Sequence, residues 1–145
     1  MALSKKKNNE SKNMHFSRED QKKILSSSSP FIVKEAYSSI RTNLLFSQKG
    51  DECPVFIVTS PTANNGKSIN SVNMAVSFAQ MGKKTLLIDA DMRNPTVHRL
   101  FSIPVKNGLS EILAGLTDNI TVSKTDIENL SVLTAGKIPV RAFIK

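Results

Sequence analysis

Val58-Thr59-Ser60-Pro61-Thr62-Ala63-Asn64-Asn65-Gly66-Lys67-Ser68 is the stretch that decides the fold of this 145-residue chain. Before it, Pro54-Val55-Phe56-Ile57-Val58-Thr59 is an apolar, β-branched run without polar alternation. That pattern predicts a strand buried on both faces, and hence a parallel sheet. After it, Ile69, Val72, Ala75, Val76 and Ala79 recur on one side of a predicted helix over residues 67–81. Gly82 follows, where a helix end favours a left-handed residue.

A phosphate-binding loop needs backbone N–H groups that converge on an anion, a helix starting at the same point, and a Lys followed by Ser or Thr. The Lys reaches the β- and γ-phosphates and the hydroxyl ligates Mg²⁺. Gly66, Lys67 and Ser68 supply the last glycine and both side chains. The first glycine of the usual pattern is absent, and Pro61 lies six residues before Lys67. Asn64 and Asn65 take up the left-handed tolerance that glycine would give. The loop residues Thr62, Ala63, Asn64, Asn65, Gly66, Lys67 and Ser68 are therefore the candidate nucleotide contacts. The bland reading, a chance Gly-Lys-Ser at a helix start, is outweighed by this context and by the next motif.

That motif is Leu86-Leu87-Ile88-Asp89-Ala90-Asp91-Met92-Arg93-Asn94-Pro95. It puts two carboxylates at the C-terminal tip of a predicted strand, residues 85–88, the edge where parallel sheets bind ligands. Asp89 and Asp91 there can hold a metal or its waters, and one can take a proton from an attacking hydroxyl. One of them can instead cap the following turn. Arg93 can brace the acidic loop or touch phosphate. His98 reads as a helix surface residue rather than a catalyst.

Further out, Val33, Ala36, Tyr37, Ile40, Leu44 and Leu45 form an apolar stripe that predicts a helix from Pro30 to about Gln48. Short helices are expected over 96–101 and 109–114, and a strand at Leu130-Ser131-Val132-Leu133. Strand, loop, helix and strand make a βαβ unit with a right-handed crossover. The fold class expected is α/β: a P-loop NTPase-like parallel sheet flanked by helices, incomplete at the C-terminus. Residues 1–29, rich in Lys, Asn and Ser, are expected to be a disordered basic leader, with a partial domain over 30–145.

The net charge is +8, and the first 34 residues carry eight Lys and Arg against three Asp and Glu. This leader reads either as a solvated tail or as an arm for an anionic surface. Within residues 1–29 the one aromatic, Phe16, argues against nucleic acid as a partner. No apolar run approaches the ~20 residues of a membrane span, and no apolar stretch follows the basic start, so no secretory signal is read. One cysteine, Cys53, reads as filler near a buried strand in a reducing, cytoplasmic compartment.

These motifs together resemble the bacterial tyrosine kinases that regulate capsular and exopolysaccharide biosynthesis, a P-loop family. The resemblance spans residues 33–140 and rests on four marks. They are Glu35-Ala36-Tyr37 leading to Arg41-Thr42-Asn43-Leu44, the loop ending at Ser68, the acidic-loop motif, and Leu130-Ser131-Val132-Leu133-Thr134-Ala135-Gly136-Lys137-Ile138-Pro139. It implies ATP and Mg²⁺ as cofactors and protein tyrosine hydroxyls as acceptors. It further implies that Lys67 grips phosphate, that Ser68 holds the metal, and that Asp89 and Asp91 share metal binding and activation of the acceptor. A membrane-spanning polysaccharide co-regulator is the implied activator, which would tether a cytoplasmic kinase to the membrane, and the helix from Glu35 to Arg41 the implied self-association surface.

The sequence departs from the pattern at Ala63-Asn64-Asn65, where Pro-Gly-Glu is usual. It departs again at Ser38, where the association motif has an arginine, and at Asn94, where a lysine is common. The family's third nucleotide motif and its C-terminal tyrosine cluster are not in the chain. Two alternatives stand beside the kinase: a non-catalytic remnant that binds nucleotide or partner only, and a partitioning-type P-loop ATPase. The latter group carries a lysine where this chain has Thr62. The missing motif leads to the expectation that this polypeptide alone transfers little phosphate.

Overall fold

The computed structural model describes residues 19, 21–48, 53–62 and 65–137. Helix α1, Phe31–Ser47, starts directly after Pro30 and gives way to extended backbone at Gln48. Helix α2 is Lys67–Gln80, with Gly66 at its N-cap and Gly82 in the left-handed region at φ 83° just past its end. Strand β1 is Thr85–Ile88. The short helices α3, Val97–Leu100, and α4, Leu109–Leu113, precede β2, Ser123–Lys124, and β3, Leu130–Leu133.

The sheet order is β1-β3-β2. β1 and β3 run parallel, with Leu87 opposite Val132, and β2 pairs antiparallel on the outer edge of β3. The sheet is therefore parallel where it carries the acidic loop and antiparallel at a short edge that period-two patterning could not reveal in two residues.

Helix α2 is the core element. Val72 and Val76 are fully buried, Ala75 and Ala79 nearly so, and they pack with Val97, Leu100, Leu130 and Val132. Each fully buried valine contributes roughly 1.5–3 kcal/mol by leaving water. A second side of α2, Asn73 and Ser77, is equally buried, and it meets α1 through polar contacts. Arg41 donates from Nη1 to the Ser77 carbonyl at 2.8 Å and to its Oγ at 2.9 Å, and from Nη2 to Ser38 Oγ at 3.0 Å. The α1–α2 joint is thus made by a guanidinium as much as by apolar packing. Val33 and Ile40, two members of the predicted stripe, are 37% and 47% exposed, and no residue of α1 is buried.

Four further expectations change. Residues 54–59 form no strand and pair with none among the described residues, so the predicted βαβ unit is not formed by them. Val55 and Ile57 are 84% and 88% exposed. Only Phe56 is anchored, stacked on Phe78 of α2 with ring centroids 5.6 Å apart. β-Branched composition favours extended backbone, but a ladder needs a partner edge. Second, β1 is buried on one face only, since Leu86 and Ile88 are each about half exposed. Third, Cys53 is an exposed free thiol rather than filler. Fourth, the segment expected to be a leader contributes to the core at residue 25. Leu25 is buried in the core, and its N–H donates to Asn73 Oδ1 at 2.8 Å. Leu25 and Ile24, with hydrogen bonds from Asn73 to Lys23 and from Gln21 to Arg99 and Ser102, dock a segment whose composition reads as disordered. Residues 1–18, the rest of the expected leader, lie outside the described residues. Among the described residues no helix is long and apolar enough to cross a membrane.

Candidate functional site

The loop enters α2 through Gly66, whose φ of 71° is left-handed. A β-carbon there would sit 3.3 Å from Asn70 Nδ2 on top of the backbone penalty, which accounts for glycine at this point. No side chain caps the helix. The first-turn N–H donors at Lys67, Ser68 and Ile69 have no acceptor within the helix. These donors and the positive end of the helix dipole form a cradle suited to an anion. Upstream, Ser60 Oγ donates to the Thr62 carbonyl at 2.8 Å, and the Asn65 amide donates to Thr62 Oγ1. Ala63 and Asn64 lie outside the described residues.

The C-terminal tip of β1 delivers the acidic loop to the same place. Lys67 Nζ lies 2.9 Å from Asp91 Oδ2, with both side chains about one-third exposed. The hydrogen bond from Lys67 is the main reason that the Asp91 carboxyl is held below the ordinary carboxylate value. Partial burial opposes this, and the backbone N–H groups of Asn94 and Arg93 reinforce it. Asp91 Oδ1 accepts the Asn94 N–H at 3.0 Å.

Asp89 does something different. It is buried, its Oδ1 accepts the Asp91 N–H at 3.1 Å, and its Oδ2 accepts the N–H groups of Thr96 and Val97 at 3.2 and 3.1 Å. It shapes the acidic loop and caps α3. Two acids that read alike in sequence therefore divide the work: Asp89 builds the loop and Asp91 faces the lysine. Ser68 is partly buried one residue into α2, and Arg93 is exposed. His98 is not a surface residue as expected; it is partly buried, with Nδ1 enclosed and unpartnered. Burial, and then Arg99, push its imidazole below the ordinary value.

Sequence reasoning missed the polar joint behind the loop. Tyr37 Oη donates to Asn70 Oδ1 at 2.7 Å, and Asn70 Nδ2 donates to the Gly66 carbonyl at 3.0 Å. The signal available was the pair Asn70 and Asn73 inside an apolar helix pattern, where asparagine is a poor helix former unless its amide has partners.

A glycine-turned loop running into an uncapped helix, with a lysine ammonium held against a carboxylate at a parallel strand's tip, defines a P-loop nucleotide-binding domain. The chain belongs to the AAA domain family, whose model matches residues 62–141, and that membership implies ATP binding. Within it the similarity is to bacterial tyrosine-protein kinases. The chain is 38% identical over 121 residues to the tyrosine-protein kinase YwqD of Bacillus subtilis, covering 82% of this chain and 51% of the relative. Among solved structures it is similar to the BceF tyrosine kinase domain, with a TM-score of 0.70 at 38% identity, covering 81% of this chain and 48% of that one. It is also similar to the chimerical protein CapA2B2, with a TM-score of 0.66 at 39% identity, covering 79% and 50%. The chain spans about half the length of the curated relatives it matches.

Proposed function

We infer that this chain is the nucleotide-binding part of an ATP-dependent protein-tyrosine kinase acting in the regulation of capsular or extracellular polysaccharide biosynthesis. The observation that carries the reading is the 2.9 Å approach of Lys67, at the leading turn of α2, to Asp91 at the tip of β1. It puts a cation, an anion cradle and a carboxylate within one small volume. The relatives named as tyrosine-protein kinases supply the reaction class.

The chain's own groups divide as follows. The first-turn N–H groups and Lys67 bind the phosphates, and an incoming triphosphate competes with Asp91 for the ammonium. Mg²⁺ characteristically takes one or two carboxylates plus phosphate oxygens and water. Ser68 and Asp91 would hold it, and the hydroxyl and carboxylate fit a hard cation in kind. Bound there, the ion would neutralise charge on the transferring phosphoryl group. Asp91 is held below the ordinary carboxylate value, so it stays ionised at neutral pH. It is therefore better suited to charge and metal-water binding than to accepting a proton. Asp89, with both oxygens donated to by backbone N–H groups, positions Asp91 and the loop. The acceptor is a protein tyrosine hydroxyl, and a membrane-spanning co-regulator is the partner that would bring this domain to the membrane. Self-association along α1 would use Glu35, which is exposed, rather than Arg41, which braces α2.

Calorimetric titration of ATP with Mg²⁺ into the chain tests this directly. We expect saturable binding, weakened by at least about tenfold in Lys67→Met, because a charge-assisted hydrogen bond worth ~1.5–3 kcal/mol is removed. Equal affinity in the variant would take Lys67 out of the site.

A further inference from the structure

We propose that Tyr37 is a positioning residue for the phosphate loop, acting through Asn70 on the peptide between Gly66 and Lys67. This rests on the nucleotide-binding reading above and adds a control element to that site.

The polarity of the connection is fixed at its far end. Asn73 is buried; its Oδ1 accepts the Leu25 N–H at 2.8 Å and its Nδ2 donates to the Lys23 carbonyl at 3.0 Å. A backbone donor on one side and a backbone acceptor on the other leave this amide one orientation. Nδ2 has a second hydrogen, and it points to Tyr37 Oη at 3.3 Å. The tyrosine hydroxyl, already an acceptor, turns its own proton to Asn70 Oδ1 at 2.7 Å. That in turn directs Asn70 Nδ2 at the Gly66 carbonyl. Each group in the series selects the orientation of the next.

The last step bears on the loop. The Gly66 carbonyl accepts both the Asn70 backbone N–H, at 2.9 Å, and the Asn70 side chain, at 3.0 Å. This holds the carbonyl along the helix. The peptide is planar and trans, so the Lys67 N–H is directed the opposite way, out of the helix start. That is the direction from which an anion approaches. Gly66 has φ of 71° and no β-carbon, so its own backbone preference does little to hold this orientation. An outside restraint therefore has a defined task here. The same series ends on Lys23 and Leu25 and passes through α1, so displacement of either segment would be felt at the loop.

Tyr37→Phe keeps the ring that packs against the core and removes only the hydroxyl. Asn70→Ala removes the middle of the series at an exposed position. ATP with Mg²⁺ is titrated into the full chain and into Tyr37→Phe, Asn70→Ala and the double variant. Amide ¹⁵N–¹H spectra of Gly66 and Lys67 are recorded without nucleotide. Each single change is expected to weaken ATP binding by about threefold to tenfold, the size of one hydrogen bond. The double variant should be no weaker than the weaker single one, because both changes cut one series. The Lys67 amide resonance should shift in Tyr37→Phe. Unchanged affinity in Tyr37→Phe, or multiplying losses in the double variant, overturns the proposal. If the unaltered chain binds no ATP, the nucleotide-binding reading fails. The spectra still decide the relay: an unmoved Lys67 resonance in Tyr37→Phe overturns it independently.

Discussion

The two sides of the sheet reached from α2 are unlike. On the β3 side, Val132 is fully buried and the loop after the strand is tied down: Leu109 and Ser110 donate N–H groups to the carbonyls of Thr134 and Ala135 at 2.8 and 2.9 Å. Glu111 adds acceptors for the N–H groups of Gly108 and Lys137 at 2.9 and 2.8 Å. On the other side, residues 54–58 and the outward residues of β1 present Val55, Ile57, Leu86 and Ile88 to water. Both regions carry apolar side chains, Val55, Ile57, Leu86 and Ile88 on one side and Leu130, Val132 and Leu133 on the other. The difference is whether a second layer covers them, and stability should follow coverage rather than composition.

The largest expected effect separates the two regions by one kind of substitution. Val76→Asp puts an unpaired carboxylate at a position with no exposure. It should cost at least about 4 kcal/mol and abolish cooperative unfolding. Ile57→Asp, at 88% exposure, should change stability by no more than about 0.5 kcal/mol. Urea denaturation followed by circular dichroism measures both. A large loss in Ile57→Asp would mean that the segment is covered in solution and would erase the contrast.

The contrast also marks what the sequence made legible. Helix α2, β1 and β3 were readable to within a residue. Their apolar positions recur at periods fixed by local geometry, and Gly66 and Gly82 punctuate them. The nucleotide loop and the acidic loop were readable because phosphate and metal chemistry demands particular residues at particular spacings. Pairing of residues 54–59 was not readable, since β-branched composition states a preference for extended backbone and says nothing of a partner edge. Docking of Leu25 joins it to core residues far along the chain and to the Asn73 amide 48 positions away, contacts too scattered for any periodicity. The division between Asp89 and Asp91 was left open by the sequence because both stand beyond the same strand. Only the direction of three backbone N–H groups assigns the cap to Asp89.

That division gives the next effect in size. Asp89→Asn replaces one of two accepting oxygens with a donor facing backbone N–H groups. The expected loss is about 1–2 kcal/mol, in the range of a lost helix cap. Asp91→Asn breaks a partly exposed ion pair and should cost less than about 1 kcal/mol. Thermal midpoints should fall further for Asp89→Asn, and the reverse order would exchange the roles assigned to the two acids.

The smallest effect is the dependence on pH, and it sharpens the same assignment. Asp91 and Glu111 have folded-state values below their ordinary 3.8 and 4.5. For Glu111, burial acts against this, and the N–H groups of Lys137 and Gly108 with the Ser110 hydroxyl outweigh it. His98 lies below its ordinary 6.5. In all three the unfolded chain takes up protons first as pH falls. Their contribution is therefore complete above the unfolded value and is lost on acidification through the lowered folded value. Stability should decline in two stages, a shallow one starting near pH 6.5 from His98 and a second below about pH 4.5 from the two acids. Asp91 is partly exposed, so solvent screening keeps its share small. Asp91→Asn should reduce the second stage and leave the first untouched. Denaturation midpoints recorded across this pH range would show it. A second stage of undiminished size in Asp91→Asn would mean that the Lys67 contact adds nothing to the folded state and that its importance lies wholly in nucleotide binding.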